Sequence, residues 1–286
     1  MAVRPKTGEM VWYYQTSPND PFDHDNVNAL VLGEISVGGK PLKVVMQACR
    51  NGFFYVLDRA TGKLLAANKY VKVTWADRVD MTTGRPVWSE ATKRIIDHIE
   101  KIETWPAIGG GTNWFPMSYS PLTRLAYVNT INIGLEYEPL PAEQMRELKV
   151  GERWGPNTVK LKSIFPDPGP RGILKAIDPM TGKAKWETGF KSPNGAGTLV
   201  TAGGLVFTGE LTGEFIAVDV DTGRIVWQFQ TPSGIIGQPV TWEYKGKQYV
   251  TVTSGIGGVY YERTPDPNLV HVAKGGSLWT FKLMEP

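Results

Sequence analysis

The residue types that could do chemistry are few. Cys49 is the only cysteine, which excludes an internal disulfide, a Cys-based zinc site and the C-x-x-C-H attachment of a c-type haem. His24, His98 and His271 are the only histidines, too few for a multi-histidine metal centre, and no metal ligands are assigned. No pair of carboxylates is spaced for glycoside hydrolysis, although exposed aromatics would suit a carbohydrate-active propeller. Two places stand out. Arg50 directly precedes an Asn51-Gly52 turn, which sets its permanent cation at the end of a sheet, where an Arg is ordinarily solvated. Asn113 and Trp114 follow the run Gly109-Gly110-Gly111, whose backbone can approach a ligand closely, although a buried Trp beside a glycine turn is also common packing.

The elements that must position these residues are strands. A recurrent pattern of Asp, two or three residues, Thr-Gly, three residues and Trp is found at Asp178–Trp186, Asp219–Trp227 and Asp80–Trp88. It is found again at Arg4–Trp12 with Arg in place of Asp, and at Asp58–Leu65 without the Trp. Asp accepts turn N–H groups, Gly takes the positive-φ position, and Trp follows at a fixed offset to pack between sheets. Gly182 and Gly223 stand 41 residues apart, the length of a four-stranded propeller blade. Apolar runs at Leu42–Gln47, Phe53–Leu57, Leu125–Asn129, Leu199–Phe207, Glu214–Val218 and Tyr249–Thr253 supply the strands. The fold class is therefore all-β: an incomplete β-propeller of four-stranded antiparallel blades, one domain over residues 1–286. Two insertions interrupt it. Residues 90–106 carry helical spacing over Glu90–Thr104, with Ile95, Ile96, Ile99 and Ile102 on one side and Pro106 as the stop. Residues 139–170 are Pro-rich and charged, an excursion over the surface.

The chain has 31 basic and 28 acidic residues spread along its length, with no basic arm or stripe, which argues against nucleic-acid binding. No run of about 18 apolar residues reads as a membrane span. The first residues hold no apolar signal core and enter the repeat directly, as if inside a blade.

Several segments together resemble the quinoprotein alcohol dehydrogenases, enzymes that use pyrroloquinoline quinone (PQQ). Trp12-Tyr-Tyr-Gln-Thr-Ser-Pro-Asn-Asp-Pro-Phe-Asp23 resembles their W-x-x-Q-T-x-P-x-D-x-W-D segment, with Phe22 where Trp is usual. Arg50–Arg59 resembles their next hairpin, Gly109–Pro121 their N-W-x-P-x-x-[FY]-[SN]-P stretch, and Thr198–Gly209 and Ser233–Pro239 their last blades. The resemblance implies the C-terminal half of an eight-bladed propeller with PQQ near its axis beside Ca²⁺ or another divalent or lanthanide ion. It implies that a small alcohol is oxidised to an aldehyde or ketone and that electrons pass to a separate acceptor such as a cytochrome c, in the periplasm. On that resemblance the chain is expected to be a truncated form or fragment, or to need a second chain that completes the ring. Arg50 would bond the quinone oxygens, Asn113 would contact a polar group of PQQ, Trp114 would support the cofactor, and Ile235-Ile236-Gly237 would add backbone contacts. The family's catalytic Asp falls on Arg4, which cannot act as a base, and a second Asp used by lanthanide-dependent members falls on Lys6. The catalytic residue is thus unassigned, with Asp20, Asp23 and Asp25 close by in sequence. The alternative is a propeller kept only for binding, like the outer-membrane-assembly lipoproteins that share the repeat without a cofactor.

Overall fold

In the computed structural model the described residues are 1–96, 100–141, 143, 149–151, 159–257 and 266–283. Four antiparallel sheets follow one another along the chain. The first is built from Val31–Val37, Lys40–Ala48, Phe53–Asp58 and Leu64–Lys69, each paired with the next. The second joins Ser118–Ser120, Leu125–Ile131, Gly172–Ile177 and Ala184–Phe190, and the third joins Leu199–Val200, Leu205–Gly209, Glu214–Asp219 and Ile225–Gln230. The last holds Val240–Tyr244, Lys247–Ser254 and Ser277–Lys282, three strands among the described residues where four are expected.

Apolar side chains of facing sheets interlock. Val44, Met46, Phe54 and Val56 of the first sheet share a core with Ala126, Val128 and Ile177 of the second. Tyr127, Leu174 and Ala176 meet Val206, Ile216 and Val218 of the third, and Phe215 meets Val250 and Val252 of the last. Leu125–Ile131 is buried at every position, as a strand covered on both faces must be. This succession of meander sheets packed face to face is an arc of a β-propeller.

The Thr-Gly repeat explains how the sheets are spaced. Asp58 Oδ1 accepts from Ala60 N at 2.9 Å and Thr61 N at 2.8 Å, and Gly62 closes the turn at φ +73°. Asp178 and Asp219 repeat the arrangement, which only a residue tolerant of the left-handed region completes. The Trp then clasps the next sheet. Trp186 Nε1 donates to Val220 O at 2.8 Å and its ring lies over Gly223, where a Cβ would meet Cε3 at 2.7 Å. Trp12 does the same on the first sheet, bonding Arg59 O at 3.2 Å and covering Gly62. In the first sheet the Trp offset is held by buried Ala66. The clasp passes to Asn68, two residues on and on the same face, which bonds Met180 O at 2.9 Å beneath Gly182. The Thr-Gly turns at Gly8 and Gly84 belong instead to separate two-stranded sheets, Ala2–Val3 with Met10–Trp12 and Ala76–Val79 with Pro86–Trp88.

The expected helix over Glu90–Thr104 is shorter. Its α-helix covers Glu90–Ile96, and His98 and Ile99 lie outside the described residues. Ile102–Thr104 is a strand paired with Leu135–Tyr137. Two influences override the helical spacing there: Pro106 biases the preceding backbone toward extended conformations, and a neighbouring hairpin offers Ile102 a ladder and a buried site. That hairpin pairs Gly134–Pro139, which leads into the expected excursion over 139–170, with Val159–Ile164 inside it; residues 142, 144–148 and 152–158 of the excursion lie outside the described residues. Strands from the two insertions, Ile102–Thr104 and Val159–Ile164, thus flank Gly134–Pro139 in one three-stranded sheet. Its Leu135, Tyr137 and Val159 join Phe53, Trp75 and Ile95 in a core on the free face of the first sheet.

Candidate functional site

Arg50 leaves the strand Lys40–Ala48 at a tight hairpin, closed by Cys49 N to Phe53 O and Gly52 N to Cys49 O, each 3.0 Å. Its own backbone is pinned on both sides: Arg50 N donates to Asn26 Oδ1 at 2.8 Å, and Arg50 O accepts from Gly111 N at 2.8 Å. The guanidinium is therefore fixed, and its side chain is only 9% exposed. Nη1 donates to Asp25 Oδ1 at 2.9 Å, while Nη2 donates to Ile108 O at 2.6 Å and Asp23 Oδ2 at 3.3 Å. Nε is buried and has no hydrogen-bond partner among the described residues. A buried charged donor left unpaired is costly, so this N–H calls for an acceptor.

Asp23 and Asp25 come from the segment between Trp12 and Val31, which is folded down by its own polar groups. Asp20 accepts from Phe22 N at 2.9 Å and from His24 N, turning the chain so that Phe22 enters the core against Tyr137. Asn51 Nδ2 and Tyr55 OH hold Thr16 O at 3.1 and 3.2 Å. His24 is fully buried between Phe22 and Trp75, its Nε2 3.1 Å from Ala107 O. Burial, more than any charge, lowers its pKa to about 4. Burial likewise raises the carboxyl of Asp20. Asp23 is raised above the usual Asp range, first by burial, with Asp25 adding to the effect and Arg50 opposing it. Cys49 beneath the turn is fully buried and its thiol is pushed well up by desolvation, which makes it a packing residue, not a nucleophile.

The loop Ala107–Asn113 forms the other side. Gly110, at φ +81°, lies so close to the Arg50 backbone that a Cβ would stand 2.7 Å from Arg50 O. Asn113 is buried; its Nδ2 donates to Gly109 O at 2.9 Å and its Oδ1 accepts from Trp114 N at 3.0 Å. Arg50 and Asn113 thus hold consecutive carbonyls, Ile108 and Gly109, of one loop. Trp114 is 43% exposed, edge-on to Phe115. Two of the three residues singled out from sequence are therefore buried and bonded to one loop, and the third stands beside Asn113 with its ring at the surface.

The remaining sequence candidates fall elsewhere. Arg4 is exposed and paired with Glu9 in its own hairpin at 3.0 Å. Ile235 is buried under Gly209 and its N–H is spent on Glu210 O at 2.9 Å, which leaves no backbone donor there for a ligand. Ile236 and Gly237 instead line an open groove of about 520 Å³ with Thr253, Ser254 and Leu278. Glu210 was not a sequence candidate. It starts the same turn in the third sheet that Cys49 starts in the first, its N bonded to Glu214 O as Cys49 N is to Phe53 O. Burial and then Glu214 raise its carboxyl to about 7. The shared turn, aligned on Gly52 and Gly213, is the signal that would have found it. Among the described residues no group of three or more His, Cys, Asp or Glu is placed to hold a metal ion.

The chain matches the PQQ-family model of the glucose/ethanol/alcohol dehydrogenase β-propeller domain over residues 1–83 and 169–250. It is 41% identical over 292 residues to a quinoprotein ethanol dehydrogenase of Pseudomonas aeruginosa, covering 99% of this chain and 46% of that protein. It is 39% identical over 270 residues to a quinohemoprotein alcohol dehydrogenase of Pseudomonas putida, covering 91% of this chain and 37% of the relative. Among solved structures, the quinohemoprotein alcohol dehydrogenase of Comamonas testosteroni superposes with a TM-score of 0.85 at 32% identity, over 98% of this chain and 41% of that one. A europium-containing methanol dehydrogenase superposes with a TM-score of 0.83 at 32% identity, over 98% of this chain and 52% of that one. The chain thus spans less than half the length of these curated relatives. With its blade repeat, its Arg50 hairpin and these matches, the chain belongs to the PQQ-dependent glucose/ethanol/alcohol dehydrogenase β-propeller family.

Proposed function

We propose that this chain is the cofactor-clasping arc of a PQQ-dependent alcohol dehydrogenase, which oxidises a small alcohol to an aldehyde or ketone and passes the electrons to a separate acceptor such as a cytochrome c. The observation that carries this reading is the buried Arg50 guanidinium, with its Nε unpartnered among the described residues, bonded to the same loop that Asn113 closes. A fixed cation with a donor to spare suits an acceptor oxygen, and burial strengthens the attraction. Bound PQQ would supply a two-electron quinone acceptor. Arg50 would hold its oxygens through Nε–H, Asn113 would offer the second N–H of its amide and a free lone pair of its Oδ1, and the half-exposed Trp114 ring would flank it. Asp23 and Asp25 offset the Arg50 charge, so this end of the site binds by a directed donor more than by net positive field. Among the described residues no group of three or more His, Cys, Asp or Glu assembles a donor set for Ca²⁺ or another ion.

The same reading makes residues 1–286 a single incomplete propeller domain that works with further blades or a second chain, in the periplasm, where the family's enzymes act. It is tested by supplying PQQ and Ca²⁺ to the purified chain and following dye-linked oxidation of ethanol and 1-butanol. Turnover that depends on PQQ supports an enzyme arc. A chain that neither binds PQQ nor turns over, alone or with the missing blades supplied as a second polypeptide, contradicts it.

A further inference from the structure

We infer that Asp23 is the proton acceptor for the alcohol hydroxyl in this chain, a role that rests on the reading above and that Arg4 cannot fill. Alcohol oxidation needs a base: the O–H bond breaks with its electron pair left on oxygen and its proton moved to a carboxylate. The carbinol C–H pair leaves as hydride to an ortho-quinone acceptor, which is reduced by two electrons as the C=O bond forms. Arg4 is a permanent cation held by Glu9 in an exposed hairpin.

Three Asp side chains lie on the segment that faces Arg50, and their geometry separates them. Asp20 spends both carboxylate oxygens on the backbone N–H groups of Phe22 and His24, a fold-holding role. Asp25 is bound to Arg50 Nη1 at 2.9 Å, the tighter of the two ion pairs. Asp23 has the looser contact, 3.3 Å to Nη2; both side chains reach solvent, Asp23 55% and Asp25 64% exposed, so the looser hold of the guanidinium is what leaves Asp23 the freer of the two. Arg50 itself is nine-tenths buried, and its Nε calls for an acceptor that the described residues do not supply. A ligand held by that donor is set within one side chain of Asp23. The raised carboxyl of Asp23 agrees with this role, because burial and Asp25 make it a stronger base than an ordinary Asp while Arg50 opposes the rise. On the same segment His24, neutral above about pH 4, and Asp20 are turned inward, Tyr14 is held by burial well above the usual tyrosine range, and Tyr13 is exposed.

The experiment uses the full chain, Asp23→Asn and Asp25→Asn, each with PQQ and Ca²⁺. Asp23→Asn is expected to keep PQQ affinity within about threefold, to lower kcat by about 10²-fold or more, and to regain rate with added acetate. Asp25→Asn is expected to lose less than about tenfold, because its partner Arg50 is still held by Asp23. Retained turnover in Asp23→Asn, or PQQ affinity lost together with rate, overturns the assignment. A second readout needs no turnover: carboxyl ¹³C titration of the cofactor-free chain. Asp23 titrating above the usual Asp range supports the assignment, and titration at or below that range overturns it even if wild type proves inactive. Wild type inactive with no PQQ bound contradicts the proposed function instead, and the titration still decides the base.

Discussion

Substituting Gly223 by Ala should destabilise the chain through one neighbour, Trp186. Two costs add at this position. An Ala at φ +73° pays about 1 kcal/mol for the left-handed region. Its methyl would also lie 2.7 Å from Trp186 Cε3 and 2.8 Å from Cδ2, an overlap that forces the indole to move and costs about 1–3 kcal/mol. Trp186→Ala alone removes a half-buried indole packed on Tyr127 and its bond to Val220 O, together about 3 kcal/mol. Once the indole is gone its two closest contacts are relieved, and Thr188 Oγ1 at 3.1 Å need shift only slightly, so most of the steric cost is removed and the backbone cost remains. The double variant should therefore be about 1–2 kcal/mol more stable than the sum of the single changes implies. Urea unfolding followed by far-ultraviolet circular dichroism measures this without relying on the Trp signal. If Gly223→Ala costs the same with and without Trp186, the indole does not clasp the neighbouring turn and the account of blade spacing fails.

Two further outcomes follow from the same structure. His24 has its pKa depressed from 6.5 to about 4, so the unfolded chain binds more protons between these values and stability falls as pH drops through that window, by about 3 kcal/mol in all. Unfolding at pH 7, 5.5 and 4 should show this slope, and a His24→Phe variant should lose it; an unchanged slope would place the acid sensitivity elsewhere. Asn68→Ala should cost about 1 kcal/mol by removing the bond to Met180 O across the first and second sheets, whereas Ala substitution of exposed Lys63 should cost nearly nothing. Equal effects in the same unfolding assay would show that Asn68 does not stand in for the missing Trp.

What the sequence made legible was local. The Asp-x-x-Thr-Gly turn is a five-residue device whose hydrogen bonds close within itself, so its conformation could be read from Asp58, Asp178 and Asp219 and found as expected. The Trp offset likewise pointed between sheets because Gly leaves room for an indole on the neighbouring turn. Contacts across long stretches of chain were not legible. Arg50 meets Asp25 and Asp23 from 25 and 27 residues away, joined by a loop with no regular period, so spacing named those carboxylates as neighbours without showing which would be paired. The two insertions looked independent because nothing in either segment reports that Ile102 and Leu161 both pair with Tyr137, on the strand between them. The helix overran for a related reason: isoleucines at helical spacing serve a strand equally well once a partner strand is present. Asn68 carried no signal at all, since its role exists only against Met180, which lies 112 residues downstream.

The measurement that bears most directly on the central claim is an equilibrium titration of the purified full chain with PQQ, read as quenching of tryptophan fluorescence and by calorimetry, for wild type and for Arg50→Met. Saturable binding by wild type, weakened at least tenfold when the guanidinium is removed while the fold is retained by circular dichroism, is the predicted result. Equal affinity in both proteins would contradict it, because the buried cation and its unpartnered N–H would then have no part in holding the quinone.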